Sequence, residues 1–192
     1  MGDKFKLIMD SFGSDKVKLD EPIGEHTFLR VGGPAKLFFV ATHQREIIRM
    51  NEIARGLKIP VIVFGTGSKM IISDDGFNGV IIKNRTSGMT VVGVKGKVSK
   101  IGIGVSEVMV KVDSGVTITK LSEFVRSQHL NVNSLDGVTG TVGGNLFLSK
   151  QILDLTQKIK IIDKVGDIDE IEKEELRLRE QIILSAVLKF KT

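Results

Sequence analysis

Apolar and polar residues recur with two different periods in the first half of the chain, and these periods predict its helices and strands. Short, nearly continuous apolar runs predict buried strands at residues 37–41, 61–64 and 79–83. Between Thr42 and Lys58 the apolar residues fall at helical spacing, so a helix capped by Thr42 is predicted there. A shorter helix is predicted at 4–12, and residues 70–73 are predicted to be strand or extended chain.

The second half consists of shorter runs that are rich in β-branched residues. Runs separated by Gly or Ser predict a meander of short strands at 90–94, 97–103 and 108–112. The remaining predicted elements are a helix capped by Thr119, a loop at 133–145, a charged helical turn at 170–178 and closing strands at 159–163 and 182–190. We therefore predict an α+β fold of two lobes, residues 1–86 and 87–192, joined near 84–89.

Composition narrows the class of protein. The 192 residues include 41% apolar and 27% charged residues, which is typical of a globular domain with a real core. No Cys is present, and no apolar run approaches the roughly 18 residues that a membrane span requires. The N-terminal residues also lack the apolar core of a signal peptide. We expect a cytoplasmic protein with no membrane partner.

The formal charge of +5 indicates an attraction for anions, although it also fits simple solubility. Nucleic acid is an improbable partner, because the basic residues are spread along the chain and all ten aromatic residues are Phe. The three histidines, His26, His43 and His129, lack the spacing of a metal site, so no metal is predicted.

A first glycine-rich loop follows the predicted strand at 61–64. Its candidate binding residues are Gly65, Thr66, Gly67, Ser68, Lys69 and Met70. The spacing matches neither a Walker A loop nor the dinucleotide fingerprint, since Met70 stands where a third glycine belongs. Successive glycines still allow main-chain N–H groups to converge on an anion. A tight turn between strands is the alternative interpretation.

A second loop carries four glycines within nine residues, more than a helix C-cap requires. Its candidate binding residues are Gly137, Gly140, Thr141, Val142, Gly143 and Gly144. Glycine allows a ligand to approach the main chain closely, so one loop in each lobe would suit a diphosphate held between the lobes. Here too, turns without a ligand remain the alternative.

Four segments together resemble the UDP-N-acetylenolpyruvoylglucosamine reductase family, also called UDP-N-acetylmuramate dehydrogenase. They are "HTFLRVGGPAKLFF", "PVIVFGTGSKMIISDDGFNGVIIK", "VDSGVTITKLSEFVRSQHLNVNSLDGVTGTVGGN" and "IILSAVLKF", and they follow one another in the family's order. The resemblance covers about residues 20–190. It implies a role in making a peptidoglycan precursor.

The resemblance implies a two-lobed FAD-binding fold of the vanillyl-alcohol-oxidase/PCMH type, with NADPH as hydride donor if activity is retained. In the family the first loop reads G-G-G-S-N-L-L, and its amides hold the FAD pyrophosphate. The second reads G-I-P-G-T-V-G-G and lines the flavin and the diphosphate. This chain departs from the family pattern at Lys69, which replaces Asn, and at Thr139, which replaces Pro.

The catalytic residues of the family do not carry over. The chain has no Tyr, so the family's Y-R-x-S motif is missing, and neither Arg177 nor Arg179 is assigned its role. The family's proton-donating Ser and its late Glu lie in a third, substrate-binding domain that the resemblance does not reach. No catalytic residue is therefore named, and a separate substrate-binding domain or partner chain is a candidate partner.

Three hypotheses remain open at this point. The chain is an FAD-binding portion of such a flavoprotein that does not complete the reaction alone, or a degenerate, flavin-free scaffold that acts through protein contacts. The third hypothesis is a free-standing reductase that uses another acceptor.

Overall fold

The computed structural model of the chain describes residues 2–13, 15–99, 102–178 and 180–192. The chain divides into two compact units, Met1–Thr86 (unit 1) and Ser87–Thr192 (unit 2). Each unit combines one sheet with helices, so the α+β prediction is confirmed. No helix among the residues that the structure describes is long and apolar enough to cross a membrane.

Unit 1 is built on a four-stranded mixed sheet. Its elements are α1 (Gly2–Phe12), β1 (Val17–Pro22), a 3-10 helix (Ile23–His26), β2 (Pro34–Ala41), α2 (Gln44–Gly56), β3 (Val61–Phe64) and β4 (Phe77–Asn84). The strand order is β1-β2-β4-β3, with β1 antiparallel to β2 and with β2 and β3 parallel to β4. The predicted strands are present, but residues 70–73 form none, so extended chain is the correct alternative there.

Helix α2 forms because its apolar residues recur on one face, where Ile47, Met50 and Ala54 are buried. Its N-cap is His43 rather than the predicted Thr42. The carboxylate of Glu46 folds back and accepts from the backbone N–H groups of Thr42 at 2.8 Å and His43 at 3.1 Å. Because Glu46 satisfies both donors, the helix begins one residue later than predicted.

One face of the unit 1 sheet buries a compact apolar cluster. Its fully or nearly fully buried members are Ile23, Ala35, Phe38, Phe64, Ile72 and Ile81, with Ile62, Met70 and Phe77 packed against them. Two of these, Met70 and Ile72, flank the exposed Ile71 immediately after the first glycine loop. The core of unit 1 therefore anchors the end of that loop.

Unit 2 is built on a five-stranded antiparallel sheet. Its elements are β5 (Met89–Ser99), β6 (Gly102–Asp113), α3 (Ile118–Ser127), α4 (Val142–Leu146), α5 (Lys150–Leu155), β7 (Thr156–Ile162), β8 (Ile168–Ile171) and β9 (Ile182–Lys191), with 3-10 helices at Asn133–Leu135 and Lys173–Glu175. The strand order is β5-β6-β9-β7-β8, so β5 is an edge strand and β9 is central. Buried residues of α3 and α4, including Leu121 and Val142, share one core cluster with the sheet.

Several predicted details of unit 2 are wrong. The predicted meander is one pair of long strands, β5 and β6, in which the ladder shifts register between Val91 and Gly93 and again between Lys95 and Gly96. Within the predicted run 97–103, residues Lys100 and Ile101 lie outside the described residues. Helix α3 is capped by Thr117, whose hydroxyl accepts from Lys120 N–H, and not by Thr119.

Two further predictions for unit 2 need correction. The segment 133–145 contains the beginning of α4 as well as loop, because Thr141 caps this short helix. The predicted charged helical turn is present as a 3-10 helix at Lys173–Glu175, but it is shorter than predicted, because β8 extends to Ile171.

Candidate functional site

The first glycine loop leaves the sheet of unit 1 directly at the end of β3. Thr66, Ser68 and Lys69 are exposed, whereas Gly67 is buried and adopts φ +72°. A Cβ at Gly67 would overlap the main chain of His26 and Thr27. Glycine is therefore required here both for its backbone angle and for the close approach of a neighbouring segment.

This loop presents main-chain donors that the protein does not use. Within the described part of the chain, the N–H groups of Thr66, Gly67 and Ser68 donate to no protein acceptor. The hydroxyls of Thr66 and Ser68 lie 3.1 Å apart and bond to each other. Three free amides beside two hydroxyls on a fixed turn form a donor set suited to an anion such as a phosphate.

A second segment of unit 1, residues 26–33, runs alongside residues 67–73. The N–H of Phe28 donates to the carbonyl of Gly67 at 3.2 Å, and the N–H of Gly33 donates to the carbonyl of Ser73 at 2.9 Å. A Cβ at Gly33 would overlap the main chain of Asp74 and Gly76. The two segments thus support each other through main-chain contacts, and we call them the paired segments.

A charged cluster includes His26, the first residue of the paired segments. His26 donates through Nε2 to Glu21 Oε1 at 2.8 Å, so in the neutral ring Nδ1 is left to accept from Lys83 Nζ at 3.4 Å. Its ring stacks on Phe38, with centroids 4.3 Å apart and planes 9° apart. These contacts fix the residue whose carbonyl packs against Gly67.

The same cluster shifts the ionisation of its members. Partial burial raises the pKa of Glu21, but hydrogen bonds from Lys18 and His26 outweigh burial and hold the pKa below its ordinary value. Burial lowers the pKa of Lys83, and the nearby charge of Arg85 lowers it further. Glu21 therefore stays ionised at neutral pH and holds His26 by a charge-assisted hydrogen bond.

The second glycine loop, in unit 2, differs in its use of main-chain donors. The N–H of Val142 donates to the carbonyl of Val116 and that of Gly143 to the carbonyl of Ser114, both at 2.9 Å. The N–H of Gly144 donates to the hydroxyl of Thr141 at 3.4 Å. The amides of Val142, Gly143 and Gly144 are therefore already bonded and do not form a nest for an anion.

Upstream in the same loop, the main-chain donors are available. Across the part of the chain that the structure describes, no protein acceptor bonds to the N–H groups of Thr139, Gly140 or Thr141. Gly140 adopts φ +91° and Gly137 adopts φ +73°, which are left-handed conformations that favour glycine. The main-chain N–H groups of this loop that could bind a ligand thus lie before α4 and not in the first turn of α4.

The predicted glycines of this second loop serve different purposes. A Cβ at Gly143 would lie 2.8 Å from Cβ of Ser114, so Gly143 is needed for packing within unit 2. Gly144 is exposed, and a Cβ there would meet only the Thr141 hydroxyl oxygen at 3.5 Å. Packing within unit 2 therefore does not require a glycine at 144.

Some features of the region were missed by sequence reasoning. The predicted Lys69 and Met70 differ in placement, since Lys69 is exposed and Met70 packs partly into the core. The strong exposure of Phe28 was not anticipated, because a lone Phe in an apolar run is typical of a core position. The link between His26 and the glycine loop was also missed, since residues so distant in sequence meet only through the fold.

Among the described residues, the remaining polar candidates do not form a second site. Arg177 donates through Nη1 to the carbonyls of Glu174 at 2.7 Å and Leu176 at 3.1 Å, which is a local contact, and Arg179 lies outside the described residues. Within the described ranges, no group of three or more His, Asp or Glu residues is arranged to hold a metal ion.

Comparison with known proteins adds a family. The family model described as "FAD binding domain" matches residues 35–147, which is more than half of the chain and includes both glycine loops. Similar sequences include the UDP-N-acetylenolpyruvoylglucosamine reductase of Clostridium botulinum (strain 657), 29% identical over 187 residues that cover 94% of this chain and 56% of that protein. The enzyme of the same name from Syntrophomonas wolfei is 26% identical, and the match covers 96% of this chain and 62% of that protein. The chain thus spans little more than half of these curated relatives.

Solved structures show the same fold. The UDP-N-acetylenolpyruvylglucosamine reductase of Thermus caldophilus matches with a TM-score of 0.61 at 19% identity, over 92% of this chain and 62% of that one. An alkyldihydroxyacetonephosphate synthase matches with a TM-score of 0.68 at 18% identity, over 100% of this chain and 41% of that one. A p-cresol methylhydroxylase matches with a TM-score of 0.64 at 12% identity, over 99% and 44%. The predicted FAD-binding fold of the vanillyl-alcohol-oxidase/PCMH type is confirmed.

Proposed function

The chain belongs to the FAD binding domain family, and from this premise we propose that it is the FAD-binding portion of a UDP-N-acetylenolpyruvoylglucosamine reductase-like flavoprotein. The proposed process is peptidoglycan precursor synthesis in the cytoplasm. The relatives' names and the order of the four resembling segments support this proposal. FAD is the cofactor, and NADPH is the proposed hydride donor of the complete enzyme.

The observation that carries the proposal is the free donor set at Thr66, Gly67 and Ser68. A diphosphate carries several acceptor oxygens and negative charge, and converging amides bind such groups without a counter-charged side chain. The residues present therefore fit the pyrophosphate of FAD. The exposed Lys69 beside them adds a positive charge to the loop.

The second loop is proposed to contact FAD through main-chain atoms that precede α4, and not through the amides of Val142 and Gly143. Thr139, Gly140 and Thr141 offer N–H donors, and Gly144 offers an uncovered stretch of main chain. We therefore keep Gly137, Gly140, Thr141 and Gly144 as proposed contacts. For Val142 and Gly143 the proposed role is to position α4 against the core, since their amides are used within unit 2.

In the complete enzyme, bound FAD supplies the hydride-transfer chemistry. The residues of this chain hold and orient the cofactor, and the network of His26, Glu21 and Lys83 stiffens the segment that supports Gly67. Reduction of the enolpyruvyl group also requires a proton donor, and general acid catalysis contributes about 10²–10⁴-fold to such rates. No residue of this chain matches the family's proton donor, so we propose that a separate domain or chain provides it together with the substrate site.

Flavin absorbance and equilibrium titration with FAD test the proposal. We expect the 192-residue protein to bind FAD, to show flavin absorbance bands after desalting, and to show no turnover of UDP-N-acetylenolpyruvoylglucosamine with NADPH. A colourless protein whose melting temperature does not respond to added FAD would favour the flavin-free scaffold instead. Turnover at the rates of complete reductases would contradict the proposed division of labour.

Replacing Gly144 by alanine is expected to change stability and FAD affinity in opposite directions. Gly144 lies within α4 with room for a Cβ, and alanine in place of glycine stabilises a helix by about 0.5–1 kcal/mol. If FAD lies against this main chain, the added methyl group weakens binding by about tenfold or more, equivalent to about 1.4 kcal/mol. Thermal melting of the FAD-free protein and FAD titration measure the two effects separately.

Gly56→Ala is the matched control, because a Cβ at this last residue of α2 would meet nothing within 4 Å. We expect it to leave FAD affinity unchanged. Equal FAD affinity in Gly144→Ala and the unmodified protein would show that Gly144 does not contact the cofactor.

A further inference from the structure

Phe28 stands apart from the other aromatic residues. The chain has ten Phe residues, and Phe28 alone is exposed, with 77% of its surface accessible. Its neighbour Leu29 is 56% exposed, and Ile71 on the other paired segment is 75% exposed. Leaving a Phe side chain in water forgoes about 1.5–3 kcal/mol of burial. Exposed apolar residues that lie together mark contact sites for other molecules, whereas isolated ones do not.

The backbone that carries Phe28 is held firmly. The preceding residue, Thr27, is buried, and its hydroxyl donates to the carbonyl of Val31 at 3.0 Å. The N–H of Gly24 donates to the carbonyl of Gly32 at 3.0 Å, which closes the base of this turn. Because these bonds fix the main chain on both sides of residue 28, the exposed ring is presented by an ordered turn.

Phe28 lies next to the loop whose N–H groups at Thr66, Gly67 and Ser68 have no protein acceptor among the described residues. Its own N–H donates to the carbonyl of Gly67, the middle residue of that set. The main chain of Phe28 is therefore hydrogen-bonded to the loop whose amides are proposed to hold a diphosphate. Nucleotide-binding surfaces combine these two elements, since every base or flavin has a flat π-face that stacks on an aromatic side chain.

We propose that Phe28 is an additional FAD-binding residue that stacks on one of the two planar rings of the cofactor, with Leu29 and Ile71 as apolar contacts at its edge. The inference rests on the proposed FAD site and adds a ring-binding position to its phosphate-binding loop. The shared chemistry of the occupant is a flat heteroaromatic ring that is linked through a sugar or ribityl chain to a diphosphate.

Titration of FAD into Phe28 variants of the full chain, followed by flavin fluorescence, tests this inference. Base–aromatic stacking is worth about 1–3 kcal/mol by alanine substitution, so Phe28→Ala is expected to weaken FAD binding by roughly 5- to 150-fold. Phe28→Trp keeps a flat ring and is expected to retain affinity, whereas Phe28→Leu keeps apolar surface without a π-face and is expected to lose most of it. Leu7→Ala, at a 52% exposed position on α1, is the matched control and is expected to bind FAD normally.

Melting of the FAD-free variants separates a binding role from a structural one. Since Phe28 is largely in solvent, Phe28→Ala is expected to melt within about a degree or two of the unmodified protein, as for surface substitutions in general. FAD affinity that is unchanged in both Phe28→Ala and Phe28→Leu would overturn the inference while leaving the proposed FAD site intact. Failure of the unmodified protein to bind FAD would instead overturn the site itself.

Two fragments of FAD identify which ring is involved. ADP carries the adenine and the diphosphate, and FMN carries the flavin and one phosphate. Weaker binding of ADP to Phe28→Ala assigns the ring to adenine, and weaker binding of FMN assigns it to the flavin. Unchanged binding of both fragments, together with unchanged binding of FAD, contradicts stacking at this position.

Discussion

Gly67→Val is expected to abolish FAD retention and to destabilise unit 1. A non-glycine residue in the left-handed region costs about 1–2 kcal/mol, and the residue at 67 adopts φ +72°. The new side chain would also overlap the main chain of His26 and Thr27, and overpacking of this kind costs about 1–3 kcal/mol. Since relief of either strain displaces the free amides, we expect FAD affinity to fall by more than roughly 100-fold, about 2.7 kcal/mol.

Gly76→Val provides the matched control for strain alone. Gly76 adopts φ +83°, and a Cβ there would overlap the carbonyl of Pro34, yet it lies outside the glycine loop. Both variants are expected to lower the melting temperature of the FAD-free protein, but only Gly67→Val is expected to lose FAD when titrated at a temperature where both are folded. Equal FAD affinity in the two folded variants would contradict a binding role for the loop.

Phe190→Ala is expected to lower the free energy of unfolding by about 3–5 kcal/mol, the usual cost of emptying an aromatic core position. Phe190 is 1% exposed, lies on the central strand β9 and pairs with Val108 of β6. It belongs to the cluster that also buries Val142 of α4, so the loss of packing extends to the second glycine loop. Chemical denaturation of the FAD-free protein measures the effect.

Phe190→Leu refines this prediction, because it keeps apolar volume in the same cluster. We expect it to cost less than Phe190→Ala, because leucine leaves a smaller cavity. A loss below about 1 kcal/mol in Phe190→Ala would show that the core around β9 relaxes to fill the cavity.

Elements with a strong hydrophobic period could be predicted from the sequence. The face of α2 formed by Ile47, Met50 and Ala54, and the apolar run of β3, each allow a single placement against a core. Helix starts were less accurate, because several adjacent residues can act as caps and tertiary contacts select among them. Thr117 and His43 were selected where Thr119 and Thr42 had been predicted.

Glycine positions were the main source of error, since the same residue serves turns, bulges, helices and packing contacts. Gly143 and Gly144 were predicted as loop, but Thr141 caps a helix there. The N–H of Gly143 donates to the carbonyl of Ser114. The composition of the second loop thus predicted a site without indicating which amides are free. The exposed Phe28 likewise depends on a turn whose bonds join residues distant in sequence, and no local pattern shows them.

The edge strand β5 has a consequence for the behaviour of the protein in concentrated solution. Val91, Val92 and Val94 are exposed along it, and a long apolar edge can recruit strands from other molecules and seed aggregates. The two register shifts of β5 against β6 interrupt the regular row of backbone groups that an incoming strand would need. We therefore expect Gly93 and Gly96, which lie at these shifts, to weaken strand addition at this edge.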